Sequence, residues 1–579
     1  MSDEPSVAEF IQANRVLKIA SPLGEDVLLA ERAMVSEAVS SLFEIELSVR
    51  AKRDDLKPEE LIGRLVDISL EIQQGEEENA VRRPFNGLAT ELHEGPAVTR
   101  GLRSYTLILR PQLWLLSLRS DCRIWKDKTT LDVIHELLSE HGLPVPDVSG
   151  VISTPPVQHY SVQWNESDLA YLLRRFEEDG LFFWFSHVEG CHKLHVADSA
   201  NAWLGPSPSV PGEGRVRLTQ GSSDCNHITA WRRHYTYIPG QRAGADWNFE
   251  TPKIIPGTSM PSLVKLPEMA KRELYEFPAR ALSVEAAERA EKLRMLASEA
   301  DHERVFGEST SRILEAGRRF TPYDVAHPDA AYEEHVIVAA RHFIVNRSYE
   351  TNSDGPEYRN KFEAIPARVP LTPHRVTKRP KIAGNQVGIV AGPEGEEIYA
   401  DQHGRIKLWF PWDRRAKKDG SDTCWIRVGQ NWAGGGWGGQ IIPRVGMEVM
   451  VAFVDGDPDR PLVTGVVPNA DNGVPYELPA NKTKSVFRTS THKGSGFNEL
   501  SFEDEGGQEE IFIHAQRDKL EMVNNRSYEI VGNDHERLIL ELESLSSLAQ
   551  GWNPSMRGGF DELMKHARDG GAEKKKSRR

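Results

Sequence analysis

The sequence predicts a mainly β protein with some α-helix, and residues 403–461 carry most of that prediction. Ile406, Leu408 and Phe410 alternate with Arg405, Lys407 and Trp409, the period-two pattern of a strand with one buried face. Residues 449–454 are a continuous apolar run, which predicts a strand covered on both sides. Glycines crowd the link between the two, and Asp-Gly-Asp-Pro closes the second run as a turn. Short strands, sharp turns and little helix predict a small barrel of the oligonucleotide/oligosaccharide-binding (OB) type.

Taken in order, residues 15–110 read as strands, with alternation at 16–20, 43–50, 65–72 and 104–110. Leu131, Ile134, Leu137 and Leu138 fall at helical spacing, and Gly142 supplies a stop. A second helix is marked by Ser167 as its cap, by Leu169, Leu172, Leu173 and Phe176 as its apolar stripe, and by Gly180 as its end. Its Arg174, Arg175, Glu177 and Glu178 lie off that stripe and predict a solvated face. Strands are expected near 228–238, a third helix over 284–300 and a strand over 335–346. Pro366, Pro370, Pro373 and Pro380 then fall within fifteen residues, the density of a domain linker.

Bulk properties narrow the function. A chain of 579 residues predicts about four domains at roughly 150 residues each. A net charge of −15 argues against a general nucleic-acid binder, since phosphate backbones are held by basic surfaces. Arg405, Lys407, Trp409 and Trp412 offer a stacking platform for single strands, but the charge weighs against it. Four scattered cysteines predict no disulfide framework and a reducing compartment. The acidic start MSDEPSVAEF lacks the basic and apolar regions of a secretory signal, and no run of about 18 apolar residues predicts a membrane span.

Apparent chemical motifs fail on context. Gly434, Gly436 and Gly439 spell a phosphate loop, yet Pro443 and Gly446 follow where a helix must begin, so a turn is expected. Asp455, Asp457 and Asp459 imitate a calcium loop, but Arg460 and Val466 stand where glycine and glutamate are required. Cys191, His192, His195, Cys225 and His227 offer zinc ligands at a spacing that fits no standard finger. Glu503-Asp504-Glu505 beside two glycines reads as a hairpin tip. No catalytic, cofactor or metal residue is assigned, no hydrolase, zinc-protease or nucleotide-loop signature occurs, and an enzyme is not expected. The twenty or so residues between 465 and 485 are far short of the roughly 50 an inserted domain requires.

Apolar pairs recur later as Leu500/Phe502, Ile511/Ile513, Leu520/Met522 and Tyr528/Ile530, the last two pairs eight residues apart. One reading is a short strand per eight residues whose seam is buried only by other chains; the other is an ordinary meander. After residue 533 the pattern changes to a helical stripe of Leu538, Leu542, Leu545 and Ala549, ending in KKKSRR. That end reads as a solvated tail or a site for an acidic partner.

The segments WNESDLAYLLRRFEEDG, YEFPARA, PWDRR, CWIRVGQNWAG, PRVGMEV and GDPDRPLVTG, in this order, resemble the valine–glycine repeat protein G (VgrG) family, the spike of the bacterial type VI secretion system, which is similar to contractile phage tail hub and spike proteins. The resemblance implies a phage-hub-like β-barrel region over residues 1–375, an OB-fold barrel over 376–470, a neck over 471–499 and the start of a triple-stranded β-helix over 500–533. An atypical helical and charged tail would follow over 534–579. It implies a homotrimer with paired barrels in each hub, docking on the hexameric Hcp tube and carrying effectors. A PAAR-type tip, adaptor or toxin would sit at the C-terminal end. The needle is only a stub beside the family pattern. The chain is expected in the cytoplasm before firing and outside the cell afterwards, exported without a signal peptide. The other readings are a cargo or effector variant acting through the tail, and a phage tail hub.

Overall fold

The computed structural model describes residues 10–13, 15–73, 81–97, 101–208, 214–219, 226–256, 259–346 and 357–533. The chain divides into two compact units, Met1–Val474 and Pro475–Arg579. The predicted tail stripe at 538–549 and Cys225 lie outside the described residues.

The first unit is built on a twelve-stranded sheet that folds into two six-stranded halves. One half takes strands from residues 17–110, ordered Leu17–Ala20, Leu65–Gln73, Val81–Ala97, Arg103–Arg110, Glu44–Ala51 and Leu28–Ala38. Its remaining gap is spanned by two side-chain amides. Gln12 Oε1 accepts from Ile19 N at 2.9 Å, and Asn346 Nδ2 donates to Leu17 O at 2.7 Å and Ala30 O at 3.0 Å. Buried backbone groups must be paired, and here glutamine and asparagine do what a ladder would. The other half closes fully, because His335–Val345 pairs both with Arg319–Asp324 and with Glu357–Pro366. The two halves are joined where residues 32–38 run antiparallel to 339–345.

Four helices decorate this frame: α1 (Pro58–Leu61), α2 (Thr130–Glu140), α3 (Asp168–Asp179) and α4 (Val284–Glu299). Ser167 Oγ accepts from Ala170 N at 3.1 Å, and Gly180 closes α3 with φ 73°, a left-handed conformation that glycine adopts without penalty. Leu169, Leu172 and Phe176 are buried as the spacing predicts.

The OB-type barrel follows. Gln386–Ala391 pairs with Lys407–Trp409 and Glu448–Phe453, which pairs with Pro461–Val467, which pairs in turn with Arg427–Val428. Ile406 and Ile426 exchange backbone hydrogen bonds at 2.9 and 2.8 Å and shut the ring. Its interior holds Ile406, Leu408, Phe410, Val449, Val451 and Val463. Two expectations are corrected here. Glu448–Phe453 alternates between buried and half-buried residues rather than being covered on both sides. Lys407 is buried, its Nζ donating to Thr423 O at 2.8 Å beside the Trp425 ring. The aliphatic stem of lysine packs as apolar surface once its head finds an acceptor.

In the second unit Lys484–Ser490, Phe497–Glu503 and Glu510–His514 form an antiparallel meander. Its burial is inverted relative to composition: Glu499 and Ser501 are buried while Leu500 and Phe502 are exposed. Glu499 receives the Tyr476 hydroxyl at 2.6 Å, so residues before the sheet cover its polar face. Residues 515–533 pair with no strand of their own chain among the described residues.

Candidate functional site

The charged face of α3 is not solvated, and its burial reveals the main polar construction of the first unit. Arg174 is 2% exposed; its Nε reaches both Glu166 oxygens at 3.1 Å and its Nη2 reaches one at 2.7 Å. Arg175 is fully buried, with Nη2 donating to Thr130 Oγ1 at 3.0 Å. Glu177 accepts from Thr377 N at 2.9 Å and from its hydroxyl at 2.7 Å. Glu178 pairs with Arg379. The proline-rich linker is therefore pinned along its length rather than loose.

Arg379 is the pivot. It meets Glu178 from α3 on one side and Asp457 and Asp459 from the barrel on the other. Arg280 also reaches Asp457 at 2.9 Å, and Asp459 Oδ1 accepts from Val162 N at 2.7 Å. The aspartates that imitate a calcium loop are thus occupied by guanidinium groups. Burial alone would raise Glu178, but Arg379, Arg174 and Arg175 outweigh it and hold the carboxyl at about 2. Burial and the adjacent Asp457 push Asp459 upward against the pull of Arg379.

More contacts tie barrel to hub around this pivot. Asp121 takes Arg414 at 2.7 Å, Glu140 takes Arg415 at 2.6 Å, and Asp246 takes Arg460 at 2.7 Å. Lys126 Nζ donates to Ser421 O at 2.6 Å, and Trp164 meets Trp412 edge-on at 5.3 Å. Removing one partner of a buried pair strands the other at a cost of about 3–5 kcal/mol, so such a joint resists being pulled apart one bond at a time.

The other sequence candidates do not assemble. Arg405 is committed to Asp401 and Glu250, and Trp412 packs against Trp164 and Phe410, so the stacking platform is not formed. His192 lies against Asn86 Oδ1 at 2.7 Å and accepts from Gln112 N at 2.9 Å; His195 lies against Ser186 Oγ at 2.7 Å. His227 sits on a strand of a different sheet. Among the described residues no three His, Cys, Asp or Glu side chains converge on a point a metal could occupy. Gly434, Gly436 and Gly439 lie in a hairpin held at its base by Gln430 bonding Ile441 N and O at 3.0 and 2.9 Å. Residues 504–509 form the expected hairpin tip.

The second unit offers the opposite surface. Ile511, Ile513, Leu520, Met522, Tyr528 and Ile530 are exposed, Leu520 and Ile530 by more than nine-tenths. Soluble chains rarely leave such a row open, and an unpaired extended segment with an apolar seam requires strands from other chains.

Comparison with known proteins places each part. The phage tail baseplate hub (GPD) family matches residues 36–348. The type VI secretion system/phage-baseplate injector OB domain matches residues 386–467, and the bacteriophage T4 gp5 C-terminal trimerisation domain matches residues 485–546. Type VI secretion system spike protein VgrG1a of Pseudomonas aeruginosa is 34% identical over 532 residues, 90% of this chain and 81% of that protein. Two solved structures share the fold. The E. coli c3393 protein, a type VI secretion component, has TM-score 0.54 at 18% identity, covering 78% of this chain and 99% of its own. A chain of a Francisella PdpA–VgrG complex has TM-score 0.55 at 10% identity, covering 86% of this chain and 87% of its own.

Proposed function

The chain belongs to the VgrG family of type VI secretion system spike proteins, and from that premise we propose that three copies form a hub seated on the hexameric Hcp tube. In this reading residues 1–375 are the hub, 376–470 the barrel, 471–499 a neck and 500–533 the start of a trimeric β-helix. Residues 534–579 are a tail that receives a PAAR-type tip, an adaptor or a toxin.

The observation that carries the reading is the open seam of Leu520, Met522, Tyr528 and Ile530 within the trimerisation match. An apolar row that finds no partner in its own chain is stable when three chains supply one another. Two six-stranded halves in each hub support the docking partner, since three chains then present six related surfaces to a six-fold ring. The protein works mechanically, carrying cargo ahead of a contracting sheath. It assembles in the cytoplasm and leaves through the secretion apparatus itself.

Light scattering on the full chain at micromolar concentration is expected to give a trimer, and Hcp is expected to be retained by it on a column. A monomer sinks the reading. A solved complex of a related VgrG with PdpA supports cargo carriage by this chain as well. Loss of a toxin partner on deleting residues 534–579 assigns that carriage to the tail; unchanged capture assigns it elsewhere.

A further inference from the structure

A cavity of about 520 Å³ lies in the first unit between α3, α4 and linker residues 373–379. Six arginines line it: Arg174, Arg242, Arg280, Arg294, Arg375 and Arg379. Four have carboxylate partners. Arg174 has Glu166, Arg280 has Asp457, Arg294 has Glu276 at 2.5 Å and Glu291 at 3.1 Å, and Arg379 has the joint acids. Arg242 and Arg375 have none among the described residues. Arg242 Nη2 donates only to Ser298 Oγ at 3.1 Å, and Arg375 Nη2 only to Glu178 O at 3.5 Å.

The acids in the cavity are already engaged. Glu177 is taken by Thr377, Glu178 by Arg379 and Glu276 by Arg294. The remaining acid, Glu291, sits behind Arg294 and is pushed upward by burial. Two buried guanidinium nitrogens, Arg242 Nε and Arg174 Nη1, have no hydrogen-bond partner at all. An unsatisfied buried donor calls for an explanation, an ion among them. Desolvation and the neighbouring Arg294 lower the proton affinity of both Arg242 and Arg375, against an upward pull from Glu276 and Glu291 on both and from Glu178 on Arg375.

We propose that this cavity binds a phosphate-class oxyanion between Arg242 and Arg375. Planar guanidinium forks match tetrahedral oxyanions with paired, charge-assisted hydrogen bonds. Arg242 stands on the strand Gln241–Asn248 and Arg375 on the linker, so a bound anion straps the linker to that strand.

The test is calorimetric titration of the full chain with inorganic pyrophosphate and, separately, ATP. A Kd of about 0.1–1 mM is expected for pyrophosphate. ATP should bind within a few-fold of it, since no Phe, Tyr or Trp lines the cavity. R242Q and R375Q should each weaken binding by about tenfold, as loss of a charged hydrogen bond does. Arg375 makes no ion pair, so R375Q keeps the test decisive should R242Q not fold. No heat with pyrophosphate, affinity unchanged in R375Q, or binding of ATP but not pyrophosphate would each overturn the assignment.

Discussion

The joint around Arg379 and the strands beyond residue 497 solve opposite problems. At the joint, charges are buried, and acids and guanidiniums from distant parts of one chain answer each other. In the second unit apolar residues are exposed and buried positions are polar, with Glu499 and Ser501 inside and Leu500 and Phe502 outside. The first region is complete within one copy. The second is half of a structure whose other half lies on identical chains. Ion pairs suit a joint because they fix register as well as strength; an apolar seam suits assembly because it is indifferent until a matching seam arrives.

The contrast breaks most visibly in the second unit. Replacing Ile511 and Ile513 by aspartate puts six charges into a trimeric seam, and at roughly 3 kcal/mol per buried charge assembly should fall by far more than about a thousandfold in affinity. Light scattering reads the loss, and a trimer persisting in the double variant would mean the seam faces water. Next in size is R379A, which leaves Glu178, Asp457 and Asp459 facing one another. A loss of about 3–5 kcal/mol is expected in chemical denaturation of the first unit. R405Q, at a more exposed pair with Glu250, should cost under about 1 kcal/mol. Equal effects would remove the distinction between buried pivot and rim.

Acid gives the most graded effect. Glu178 and Glu140 are both held at about 2, below the ordinary 4.5: burial opposes the shift, and arginines enforce it. A depressed carboxyl contributes stability above its unfolded pKa and loses it as pH falls through the folded value. Proteolysis of the 367–385 linker should therefore rise between about pH 4.5 and 2, while the seam, which carries no such acid, is unaffected. Cleavage that is flat across that window would show that these pairs do not hold the linker.

The sequence made local grammar legible. Ser167 and Gly180 bracket α3 as read, Gly142 follows α2, and Ile406, Leu408 and Phe410 point inward. What it hid was partnership at long range. Glu177 and Glu178 look like solvent residues because nothing in α3 announces Thr377 or Arg379, some 200 residues away. Asp457 and Asp459 look like a calcium loop because their arginine lies about 80 residues upstream. Lys407 reads as outward by alternation, yet Thr423 O supplies an acceptor inside. The apolar pairs after residue 500 were visible, but one chain cannot reveal whether a neighbour covers them.

Gln12 and Asn346 complete the open half of the hub sheet with amides. Amides neither gain nor lose a proton between pH 2 and 10 and carry no charge for salt to screen. That latch is therefore blind to the solution conditions that slacken the carboxylate joint. A change of pH or salt that loosens the carboxylate joint leaves this closure, and with it the curl of the sheet, at constant strength.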